Sequence, residues 1–143
     1  MTTVETHLPA HQLRQQVERI AQSKPFICSR RMQRFLSYIV EAELTNSRDS
    51  LKESILGVEV FDRTPGFDPK EDPIVRVEAR RLRAKLQEYY DNYGVADPVF
   101  IQVPKGGYIP EFVTRRVVEP AARPSTFSTM IWQYAAAFVT GLR

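Results

Sequence analysis

The run DPIVRVEARRLRAKLQEYYDNYG, from Asp72 to Gly94, constrains the chain more than any other. It reads as one long helix. Asp72 is expected to be the N-cap, its carboxylate accepting from a free amide of the first turn. Pro73 then falls at the first helical position, where its missing N–H costs nothing. Gly94 suits the left-handed residue that commonly ends a helix. At about 100° per residue, Val75, Ala79, Leu82, Leu86, Tyr89 and Tyr93 share one stripe. Arg76, Arg80, Arg83 and Gln87 share a second stripe, well away from the first, and Arg81 and Lys85 flank the two. Five basic residues and one acid, Glu78, lie between Arg76 and Lys85. The spacing predicts a rod buried along one side and lined with arginine along another. Such a rod suits the major groove of DNA, where Arg is the commonest specific reader, paired to guanine O6 and N7. A solvated basic face is the plain alternative.

The rest of the composition sets bounds. With 143 residues the chain has room for one ordinary domain and a tail. Hydrophobic residues make up 43%, enough for a packed core rather than general disorder. The net charge of +3 is compatible with a polyanionic partner without demanding one. The single Cys28 excludes an internal disulfide and is expected to be a small buried apolar group. The first residues, MTTVETHLPAHQLRQQ, carry no apolar run of the kind a secretory signal needs.

Taken in order, Leu13, Val17, Ile20 and Ala21 predict a short amphipathic helix from Pro9 to about Ser23, ended by Lys24 and Pro25. Ser29 is expected to cap a second helix reaching about Leu44, with Met32, Phe35, Leu36, Ile39 and Val40 inward. TNSRDS is a turn. Ser50 and Glu53 are spaced as a capping box for a short third helix, on which Ile55, Leu56, Val58 and Val60 carry the apolar side. Gly57 is expected to end or bend it. Residues 60–73 form a loop into which Phe61 and Phe67 tuck. The long helix follows. Val99 to Val103 and Tyr108 to Val113 then read as two strands around Lys-Gly-Gly, with Pro110 confining the second to an edge.

Helix, capped helix, loop, basic helix and hairpin is the plan of a winged helix-turn-helix. The expected fold class is therefore mainly α with a small β-hairpin, over residues 9–113. A linker (114–126) and an apolar C-terminal helix (127–143) complete the expected organisation. The blocks RFLSYIVE, LKESILGVEVF, FDPKEDPIVRVEARRLRAKL and VPKGGYIPEF resemble a bacterial winged-helix domain of the OmpR/PhoB DNA-binding type. Domains of this kind stand at the N-terminus of larger, often membrane-anchored regulators. The chain departs from the type in two places. Its N-terminus reads as helix where the type has a small sheet, and its hairpin turn is Lys105-Gly106-Gly107-Tyr108, with glycine displaced by one.

The resemblance implies transcriptional control through double-stranded DNA, with a recognition helix (73–93) in the major groove and a wing (99–113) on the backbone or minor groove. Arg76, Arg80 and Arg83 would face the groove, with Val77 and Ala84 beside them where a thymine methyl can be met. Arg81, Lys85 and Lys105 would bind phosphates. Ser50 and Lys52 would hold a phosphate at the start of the bracing helix. A protein-interaction module that dimerises or docks through the same faces is the second reading.

No residue pattern points to an enzyme or to a cofactor. His7 and His11 lack companions for a metal site, and PKGG lacks the strand-to-helix context of a phosphate loop. Phe127 to Leu142 is uncharged and apolar, yet short of the roughly 20 residues a single span needs. Membrane association through residues 127–142 and a docking helix both stay open. In the first case Arg115, Arg116 and Arg123 would keep the preceding domain cytoplasmic.

Overall fold

A computed structural model describes residues 8–114. Within them the order is α1 (Ala10–Ala21), α2 (Lys24–Ile27), α3 (Arg30–Leu44), a 3-10 turn (Arg48–Leu51), α4 (Glu53–Glu59), α5 (Ile74–Asn92), β1 (Val99–Gln102) and β2 (Glu111–Thr114). The described chain is thus mainly helical, with one small antiparallel hairpin. The expected C-terminal helix (127–143), the linker beyond Thr114, and His7 lie outside the described residues. Among the described residues no helix is long and apolar enough to cross a membrane.

α1 buries Leu13, Gln16, Val17 and Ile20. Pro25 does not simply stop the chain, as its place in the sequence suggests. It opens the single turn of α2 at a position where proline is tolerated, and this turn buries Phe26 completely. Cys28, expected inside, is exposed, because it caps α2 on the outer side. Ser29 caps α3 as expected, its hydroxyl accepting from the Met32 amide at 3.4 Å. Met32, Phe35, Leu36, Ile39 and Val40 are all buried.

α4 corrects two expectations. Ser50 and Glu53 form no capping box: Lys52 is the cap residue, no side chain caps the helix, and Ser50 belongs to the preceding 3-10 turn. Glu53 has stronger partners, Arg76 and Tyr108, brought to it by the fold. The helix also runs past Gly57 to Glu59. Glycine is required there for space, since a Cβ would lie 2.0 Å from the Phe67 ring. Ile55 is half-buried, leaving Leu56 to face the core. Phe61 tucks in and meets Phe35 edge-on, with ring centres 5.0 Å apart.

α5 starts one residue later than expected. Pro73 is its cap, and Asp72 Oδ1 accepts from the Ile74 amide at 3.2 Å. Val75, Ala79, Leu82, Leu86 and Tyr89 are buried, but Tyr93 is 49% exposed and Tyr90 takes the inner place instead. Gly94 is not left-handed: among the described glycines only Gly106 has a positive φ, 90°. The demand at Gly94 is proximity, because a Cβ would stand 2.2 Å from the Tyr89 ring and 2.9 Å from Asp97 Oδ2.

The hairpin pairs Val99 with Thr114 and Gln102 with Glu111. The second strand is shorter than expected. Tyr108, Ile109 and Pro110 belong to the connection, so Pro110 removes no bond from the ladder. Tyr90 secures β1 along its remaining edge. Its hydroxyl donates to Val99 O at 3.0 Å and accepts from the Ile101 amide at 2.9 Å. Gln16 Nε2 of α1 approaches the same oxygen at 3.3 Å and donates to Asp97 at 2.8 Å. Asp97 also accepts from Tyr89. One phenol therefore joins α1, α5 and β1.

Replacing Tyr90 by Phe strands a buried amide and carbonyl of β1. The expected cost is about 1–3 kcal/mol in urea denaturation. The Ile101 amide should also exchange faster with solvent, whereas amides of α3 should lose protection only in proportion to global stability.

Candidate functional site

The basic residues of α5 fall into three sectors, set by the helical rotation of about 100° per residue. Towards the hairpin lie Arg76 and Arg83. Arg76 Nη1 reaches Glu53 Oε2 at 2.9 Å, and its Nη2 donates to Pro69 O at 3.0 Å. Arg83 donates from Nε to Val103 O at 2.9 Å and from Nη2 to Pro104 O and Gly107 O at 3.1 and 3.0 Å. These carbonyls lie on both sides of the hairpin turn, so Arg83 fixes the turn against the helix.

The outward sector carries Val77, Arg80 and Ala84, all exposed. No ion pair or hydrogen bond engages the Arg80 side chain among the described residues. Further along the same side the sign changes. Glu88 is exposed, and Gln87 donates to Asp91 at 3.1 Å. The bare cationic stretch is confined to the first half of α5.

The third sector faces α2 and α3. Lys85 Nζ donates to Pro25 O at 2.8 Å. Arg81 pairs with Glu78 at 2.9 Å. Of the three arginines expected to share one edge, Arg76 and Arg83 thus carry bonds within the protein, whereas Arg80 carries none among the described residues. Lys105 stands exposed at the hairpin tip, and Lys52 is exposed at the cap of α4. Ser50 is half-buried, its amide on Ser47 O at 2.9 Å.

Sequence reasoning gives Glu53, Glu78, Arg31 and Tyr108 no part in the site. The spacing within α5 reveals only the Glu78–Arg81 pair; Arg31, Tyr108 and the partners of Glu53 are brought in by the fold. Tyr108 donates to Glu53 Oε1 at 2.9 Å, so one carboxylate ties α4 to both α5 and the hairpin connection. Burial, aided by the bond to Glu53, pushes the Tyr108 hydroxyl from 10.0 up to about 12.

Comparison with protein-family models, with curated proteins and with solved structures finds no match to this chain.

The raised Tyr108 value carries a sign. The folded state keeps its proton where the unfolded state loses it, so this contribution to stability is intact below pH 10.0 and is lost as pH rises towards about 12. Glu53→Gln should bring the Tyr108 titration down towards the ordinary value without restoring it fully, since burial remains. NMR titration of ring-labelled tyrosine checks this; an unmoved midpoint would contradict the role given to Glu53.

Proposed function

We propose that residues 9–113 form a winged helix-turn-helix domain of the OmpR/PhoB type and serve as the DNA-binding module of a transcriptional regulator. In this reading α5 is the recognition helix, α4 braces it, and the hairpin is the wing. The observation that carries the reading is Arg80: an exposed guanidinium in the first half of α5, unengaged among the described residues and flanked by exposed Val77 and Ala84. Recognition helices address base edges with their N-terminal residues. A guanidinium there can pair with guanine O6 and N7, and small apolar neighbours can meet a thymine methyl.

The charge reversal along α5 supports the same orientation. Glu88 and Asp91 would be repelled by phosphates, so the second half of the helix tilts away from the duplex. Arg76, half exposed beside Glu53, has further donors with which it can reach DNA. Arg83 acts chiefly by holding the wing, through its three carbonyl bonds. Lys105 on the wing, Lys52 and Ser50 beside α4, and Arg81 and Lys85 on α5 supply or support phosphate contacts, which set register without reading sequence.

Selection of bound sequences from random DNA, followed by titration, tests the reading. Arg80→Ala should weaken the selected site by about 1–3 kcal/mol and relax choice at one base pair. Lys105→Ala should weaken all sequences alike and lower the salt slope by about 0.9. Recovery of no preferred sequence, together with self-association that ignores salt, would favour an interaction module instead.

A further inference from the structure

Glu78 is an acid on the most basic stretch of the chain, and its side chain is only 3% exposed. A carboxylate in such a place must be paired to remain charged. Two guanidiniums converge on one of its oxygens, Oε1. Arg81 Nη1 lies at 2.9 Å from within α5, and Arg31 Nη1 lies at 3.9 Å from the first turn of α3. Both arginines stay open to solvent, with side chains 65% and 53% exposed.

Two cations sharing one anion leave a fixed excess of positive charge. The guanidiniums also repel each other, and a second anion bound by both relieves that repulsion. Their planar forks match the oxygens of a phosphate bidentately. Arg30, exposed and next in the chain, adds to the positive potential.

We propose that Arg31 and Arg81, oriented by Glu78, form a binding site for a backbone phosphodiester of duplex DNA. The inference rests on the reading of α5 as a recognition helix, which already gives Arg81 a phosphate contact, and adds to it Arg31 from α3 and the positioning carboxylate of Glu78. Arg81 and Arg83 are about 200° apart around the helix axis. The new site therefore lies on the flank away from the hairpin. With α5 in the groove, Lys105 meets one phosphate strand and the Arg31–Arg81 pair meets the other. Glu78 is a positioning residue that never touches the phosphate.

The test uses the full chain and a short mixed-sequence DNA duplex, with affinity read by fluorescence anisotropy over a salt series. Arg31→Ala should lower the slope of log affinity against log salt by about 0.9, the value for one lost phosphate contact. Arg30→Ala removes the same charge from the neighbouring residue and should lower it by less than half as much. Glu78→Gln makes the chain more positive, so charge alone predicts tighter binding; loss of positioning predicts binding weakened severalfold. Thermal melting verifies that each variant is folded, and if Glu78→Gln is not, the two exposed arginines decide the matter. Equal slopes for Arg31→Ala and Arg30→Ala, or tighter binding by folded Glu78→Gln, would overturn the site while leaving the DNA reading intact. Absence of salt-dependent duplex binding by the unaltered chain would overturn both.

Discussion

The hydroxyl of Tyr90 is the junction on which the arrangement of helices and hairpin depends. A two-stranded hairpin is marginal by itself in water. Here β1 is bonded to β2 on one edge, and on the other its Val99 carbonyl and Ile101 amide meet a single phenol. That phenol belongs to α5, and Gln16 brings α1 to the same point. Stacking of the Tyr90 ring on Phe100, with centres 4.0 Å apart, adds an apolar contact to the polar one. The hairpin is thus held beside the long helix from within the core, and the surface of α5 is left for other purposes.

That surface is divided between fold and exposure. Of the five basic residues from Arg76 to Lys85, four have partners inside the protein: Glu53 for Arg76, Glu78 for Arg81, the hairpin carbonyls for Arg83, and Pro25 O for Lys85. Arg80 is the exception among the described residues. Arginine suits both duties, because its donors spread over a plane and can satisfy several acceptors at once. A helix rich in arginine is therefore not automatically a helix rich in free charge. The acids that decide which guanidiniums stay free lie on α4 and on α5 itself.

Local signals in the sequence suffice where local chemistry governs. The Ser29 cap, the inward stripe of α3, the turn at Gly106 and the tuck of Phe61 agree with what the residue order leads one to expect. The capping box fails because Glu53 is drawn to Arg76 and Tyr108, which stand 23 and 55 residues away in the chain. Gly94 matters, but crowding by Tyr89 and Asp97 takes the place of a left-handed backbone as the reason. The helical stripe completes itself with Tyr93 and passes over Tyr90, since nothing in periodicity marks a residue whose value is its hydroxyl. Gln16, buried and polar, is invisible for the same reason: its partners, Tyr90 and Asp97, are supplied only by tertiary structure.

The three carbonyl bonds of Arg83 have a mechanical consequence. They grip residues before and after the turn, so the tip carrying Lys105 is clamped to the rod carrying Arg80. The span between these two cations is then a property of a stiff bracket instead of a swinging arm. Were α5 to lie in a DNA groove, a stiff bracket would work as a gauge: along a polymer of regularly repeating charge it would fit one offset and fail at the next.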